Sequence, residues 1–260
     1  MHDREAQSNE RDALLPSNPV QDHRGYFSEN ISRQQADLVL IFGFITTGLL
    51  DSTATAVWGS FVSMQTGNTI YLGLGLADPL AATRWIKSGI SILSFCLGSF
   101  CFSRFHRYFS ARKRWVMVAS TLLQTVLVIL ATVIVTITHD ADSKHEINWH
   151  ILLPMAIIAF QSAGQAVTSR ALEFSSLTSV VLTSIYCDLF SDARLFAGLA
   201  NNVDRNRRVA SPLLLLLGAM IGGLWARSDI GIVGALWTAA GTKLFVLSSW
   251  LFWPSDKETD

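Results

Sequence analysis

Six runs of mostly apolar residues dominate the chain, near 37–58, 85–103, 115–137, 149–169, 209–227 and 229–252. Each approaches the 20 or so residues that an α-helix needs to cross a bilayer. Tryptophans stand at or close to their ends: Trp58, Trp85, Trp115, Trp149, Trp225, Trp250 and Trp253. That placement is the interfacial belt expected of membrane spans. Two more segments, 60–77 and 173–190, are apolar enough to enter lipid but short, and crowded with Ser, Thr, Gly or amide side chains.

Charge placement bears on those two segments. The connection 104–114 carries Arg104, Arg107, Arg112, Lys113 and Arg114, and the connection 192–208 carries Arg194, Arg205, Arg207 and Arg208. Short basic connections stay on the cytoplasmic side. If 60–77 and 173–190 both crossed fully, and the chain began inside, 104–114 would fall outside. Read as partial segments, they leave every basic connection and both termini inside, and the acidic 138–148 outside. The expected fold is an all-α polytopic membrane protein of about six full transmembrane helices plus two short, broken or re-entrant segments. The order span, partial segment, span, span then occurs twice, in 37–137 and 149–252, which suggests a 3+3 inverted repeat. Paired interrupted segments of this kind point to a transporter's binding site.

Composition agrees with a membrane class. Of 260 residues 50% are hydrophobic and 15% charged, against about 25% charged in an ordinary soluble domain. Formal net charge is zero, so nothing points to nucleic acid as a partner. Cys96, Cys101 and Cys187 have no metal-binding or disulfide spacing. Residues 1–35 read as a disordered polar N-terminal tail, 36–253 as the transmembrane domain and 254–260 as a short polar C-terminal tail. Within the first tail, Glu10 precedes Leu14 and Leu15 at the spacing of an acidic dileucine sorting signal.

The candidate chemistry lies at depth. In "SMQTGNTIYLGLGL", residues 63–76, the polar run Gln65, Thr66, Gly67 and Asn68 interrupts an apolar region. Irregular backbone survives in lipid only when buried in protein or beside a watery cavity, so this run reads as a cavity-lining break or as a tightly packed polar helix. Asp51 sits well inside the first span and is a site candidate because a membrane carboxylate is costly. Lys243 in the last span either snorkels to the interface or pairs with Asp51 or Asp188. Thr183 and Asp188 belong to the second partial segment. Gln161, Ser162 and Gln165 put amides and a hydroxyl at helical spacing in the fourth span. His106, His139, His145 and His150 fall in connections or at interfaces. With no nucleophile, metal or phosphate motif, neither a cofactor nor a metal is expected.

The stretch "GLLDSTATAVWGSFVSMQTGNTIYLGLGLA" resembles the signature of the YoaK-like integral membrane proteins, a domain-of-unknown-function family of bacteria and fungi. The resemblance rests on Gly48, Asp51, Thr66, Gly67, Asn68, Leu72 and Gly73. A second stretch, "LTSIYCDL", is similar to the family's threonine-rich motif, with Ser184 where glycine is usual. The resemblance spans roughly 36–252 and implies a polytopic membrane protein with no assigned reaction. The long tail and dileucine element suit a fungal member.

The leading expectation is a transporter, not an enzyme. An unidentified small molecule or ion would bind at mid-membrane through Asp51, Gln65, Thr66, Gly67, Asn68, Gln161, Thr183 and Asp188. The alternatives are a membrane scaffold, alone or as a homo-oligomer, and a lipid-modifying membrane enzyme. The setting is the plasma membrane or, in a eukaryote, an endosomal or vacuolar membrane.

Overall fold

The computed structural model describes residues 23–80, 82–138, 147–174 and 177–256. Glu10, Leu14 and Leu15 lie outside these residues. Helix α1 (His23–Ser28) precedes the first span, α2 (Ala36–Val57). A buried loop leads to the short α3 (Gln65–Ala77), then to α4 (Arg84–Phe109) and α5 (Arg114–Thr138). The second half repeats the order with α6 (Trp149–Ala171), the short α7 (Leu182–Phe190), α8 (Val203–Ala226) and α9 (Gly231–Leu251). Among the described residues, α2, α4, α5, α6, α8 and α9 are long and apolar enough to cross a membrane. The protein is an integral multi-pass membrane protein, and these helices meet the lipid bilayer. Helices α3 and α7, at 13 and 9 residues, reach only about 20 and 14 Å at 1.5 Å per residue and cannot span it.

Packing follows the repeat. Helix α2 lies along α8, and α4, the counterpart of α8, lies along α6, the counterpart of α2. Helices α5 and α9 pack on each other. The share of each apolar window that is buried pairs in the same way: 72% and 67% for α2 and α6, 44% and 39% for α5 and α9, 28% and 22% for α4 and α8. The first helix of each half is therefore central and the third element of each half peripheral.

Backbones approach closely in the α2–α8 and α4–α6 pairs because glycine omits the side chain. A Cβ on Gly48 would stand 2.0 Å from the Leu215 carbonyl oxygen, and one on Gly218 would stand 2.1 Å from that of Ile45. In the other pair, a Cβ on Gly98 would stand 2.4 Å from the Phe160 oxygen. Small residues at membrane helix contacts act in this way, since lipid supplies no hydrophobic drive between helices.

Part of the polar tail expected over 1–35 has a defined place. The Ile31 amide donates to the Arg112 carbonyl, Arg114 N to Glu29, Ser32 N to Pro254 and Asp256 N to Asn30. Residues 29–32, the α4–α5 turn and residues 254–256 are thereby knotted together. At the centre is the Arg114 guanidinium, 1% exposed, donating to the carbonyls of Tyr26, Leu251 and Trp253. Nearby, Arg207 pairs with Asp37 at 2.8 Å and Arg33 with Glu173 at 2.5 Å. Every basic connection thus gathers at one end of the bundle.

The α7–α8 link ends at the same level. The Asp192 carboxylate accepts from the Arg194 amide, the Asn202 side chain and Arg208. Chiefly the Arg194 amide, then Asn202, hold it below the ordinary carboxylate range.

Candidate functional site

The first break is held together by the motif that predicted it. Asp51, 3% exposed, accepts hydrogen bonds at 2.8 Å from the Val62 and Ser63 amides and another from the Ser63 hydroxyl. From α3, Asn68 reaches the same loop: its Oδ1 accepts from Phe61 N and Ser60 Oγ, and its Nδ2 donates to Phe61 O. Gln65 donates to the Val62 carbonyl, and Ser91 of α4 bonds to Phe61 O. Gly67 lies so close to the Phe61 ring that a Cβ would come within 2.7 Å. A chain that stops its helix inside the membrane must satisfy the freed backbone groups, and here side chains do so. Thr66, at the start of α3, is exposed.

The second break has a different inventory. Thr178 and Ser179 are buried in the loop before α7. Ser179 accepts from Gln165 Nε2 at 3.1 Å and from Thr47 Oγ1 at 3.0 Å, and Thr178 lies 3.2 Å from Ser169 Oγ. Gln165 stands six residues before the end of α6, as Asp51 does in α2. Each reaches the loop that follows its own helix. Thr183 is exposed on α7, and Asp188, half-buried, offers its backbone carbonyl to Arg208.

Lys243 departs from both sequence expectations. It neither snorkels nor pairs with Asp51 or Asp188. It is 3% exposed, and its ammonium donates to Gln124 Oε1 at 2.7 Å and Gln165 Oε1 at 2.9 Å. Gln165 spends its amide protons on Gly43 O, Thr47 and Ser179. Gln124 Nε2 points to Ser120 Oγ at 3.5 Å, and that hydroxyl lies 3.1 Å from His106 Nε2. A polar chain therefore runs from α4 through α5, α9 and α6 to α2 and the second break. A cavity of about 30 Å³, lined in part by Gly43, Gln124, Thr168 and Lys243, adjoins it. Gln161, a turn earlier on α6, donates to Ser162 while its buried Oε1 has no partner among the described residues.

Larger clefts lie at the two ends of the bundle. At the basic end, about 570 Å³ opens between the C-terminal turns of α4 and α6, lined in part by Ser99, Ser103, His106, Arg107, Ser110 and Arg170. The opposite end holds about 360 Å³ beside the C-terminal turns of α2 and α8, with Val57, Thr136, Ser228 and Asp229 on its wall. These positions are counterparts under the repeat. His106, expected in a connection, is instead 3% exposed, because α4 continues to Phe109.

Sequence reasoning did not single out Gln124, Thr47 or Ser91. A signal existed for Gln124, a lone amide in the apolar run "STLLQTVLV", where a polar side chain must find a partner.

Residues 39–249 match the model of a family described as a protein of unknown function, DUF1275. The chain belongs to DUF1275. No curated protein and no solved structure matches it. The stretch matched by DUF1275 takes in both breaks, the Lys243 network and both clefts.

Proposed function

We propose that this DUF1275 protein is a transporter that moves a small molecule or ion past Lys243 by exposing the bundle centre alternately to its two ends. One observation carries the reading: a buried lysine held by neutral amides, where the two halves meet, between clefts at opposite ends. An unpaired ammonium at membrane depth is costly to keep, and such groups mark substrate or ion paths. Two halves of opposite orientation supply a means of alternation. In this reading Asp51, Gln65, Gly67 and Asn68 act by holding the first break in shape, and the chain performs no covalent chemistry. Thr66, Gln161, Thr183 and Asp188 remain candidates for contact with solute along the path. The basic end, with the knot that gathers residues 29–32 and 254–256, faces the cytoplasm.

Water access at depth tests this against a scaffold. With Cys96, Cys101 and Cys187 replaced, Thr168→Cys beside Lys243 reacts with a membrane-impermeant thiol reagent from at least one side. Protection from both sides would leave a packed scaffold and remove the transport reading. Lys243→Met leaves the Gln124 and Gln165 side-chain oxygens without their shared donor and so lowers the unfolding temperature, and it is assayed on the folded fraction recovered by size-exclusion chromatography. It eliminates solute-dependent currents from reconstituted vesicles.

A further inference from the structure

We propose that the cleft at the basic end is a binding site for a small oxyanion, a carboxylate or phosphate group. The site stands on its own chemistry and does not require transport.

Three features of the wall agree. Arg107 of α4 and Arg170 of α6 both line the cleft, and no carboxylate is among the described residues lining it. By contrast, the counterpart cleft carries Asp229 and no basic side chain among its described lining. Ser99 and Ser103 share the α4 wall with His106 at steps of four and three residues, two hydroxyls on one helix face, and Ser110 adds a third from the turn that ends the helix. His106 supplies an observation of another kind. It is 3% exposed, and while Nε2 meets Ser120, its buried Nδ1 has no partner among the described residues. A buried ring nitrogen is rarely left unmatched without a ligand, water or ion to meet it. Guanidinium groups match the planar, two-oxygen geometry of carboxylate and phosphate. A volume of about 570 Å³ lies within the range of small-ligand sites.

The path inward has the same character. From His106 the polar chain runs through Ser120 and Gln124 to Lys243, a further cation with no carboxylate among its hydrogen-bond partners in the described residues. The ionisable side chains that an anion meets along this path, Arg107, Arg170, His106 and Lys243, are all basic.

Binding is tested on the full chain in phosphatidylcholine nanodiscs, with inorganic phosphate and succinate as probes at constant ionic strength and tryptophan fluorescence reporting thermal unfolding. At least one probe raises the unfolding temperature saturably. Arg107→Gln/Arg170→Gln, both at exposed positions, unfolds at the parent temperature without probe and binds about tenfold or more weakly, the loss of a charge-assisted contact. Asp229→Asn at the other cleft binds as the parent does. If neither probe acts but phosphatidylglycerol in the nanodisc stabilises the parent and not the double variant, the oxyanion site stands with a lipid headgroup as its occupant. No stabilisation by either source, or equal stabilisation of the double variant, overturns the site. The thiol test at Thr168 is separate: saturable anion binding beside a protected Thr168→Cys would keep this site and discard transport. A labelled Thr168→Cys without anion binding would do the reverse.

Discussion

Two buried charges in this bundle are accommodated in opposite ways. Asp51 is surrounded by donors, two backbone amides and a hydroxyl from one loop. Lys243 is met by two amide oxygens borne on different helices. The first arrangement is local and fastens a loop; the second ties α9 to α5 and α6. Asp51→Ala leaves the Val62 and Ser63 amides buried without an acceptor, so stability drops by about 2–5 kcal/mol, read as a lower unfolding temperature in detergent. Asp51→Asn keeps one acceptor oxygen and costs less. Asp192 gives a prediction in pH. Its depressed pKa means its contribution is fully present above the unfolded carboxylate value near 4 and is lost as pH falls through the lower folded value. Asp192→Asn therefore destabilises at neutral pH, and the gap to the parent closes on acidification, as melting curves between pH 7 and 3 will show. Which residues were polar at depth was legible in the sequence. Their partners were not, because Lys243, Gln124 and Gln165 are brought together only by packing of three helices distant in the chain.

At the scale of elements, hydropathy marks where lipid ends, and helices need not stop there. The span expected over 85–103 continues as helix to Phe109, and that expected from 209 begins at Val203. The extensions carry Arg104, Arg107, Arg205, Arg207 and Arg208, which were read as lying in connections, since a helix satisfies its own backbone in water as well as in lipid. The partial segments were legible because their polar residues and glycines were too dense for an ordinary span. Their division into a buried loop and a helix, 58–64 then α3, was not. That division depends on Asn68 and Asp51 reaching back to the loop from either side. Glycines separate into two kinds. Gly48→Val forces a side chain into the Leu215 backbone, so the α2–α8 pair fails to close and the protein elutes as aggregate in size-exclusion chromatography. Gly73→Ala on α3 meets nothing within 4 Å and raises stability by about 0.5–1 kcal/mol, the usual gain for this change in a helix. It elutes as the parent does.

For the whole molecule, the duplicated order of spans could be read from the sequence, and the paired packing of α2 with α8 and α6 with α4 gives it form. Sequence similarity between the halves is slight because each half meets its loop with different chemistry, a carboxylate at Asp51 and an amide at Gln165. The topology is checked with single cysteines in sealed vesicles. Ser110→Cys and Asp256→Cys label from one side, and Asp229→Cys from the other. Matching sides for Ser110→Cys and Asp229→Cys would require an even number of crossings between them, against the three made by α5, α6 and α8.

The knot around Arg114 also sets an order for biogenesis. Its guanidinium is buried by carbonyls at Leu251 and Trp253, which leave the ribosome 137 and 139 residues after it. At about 5–20 residues per second, that is a wait on the order of ten seconds. Until then, among the described residues, Arg114 has Tyr26 and Glu29 to meet, and α5 stands in the membrane with its end unfastened. Only a chain translated through Trp253 can tie itself shut, so the residues that follow the sixth span act as the proof that all six have been assembled.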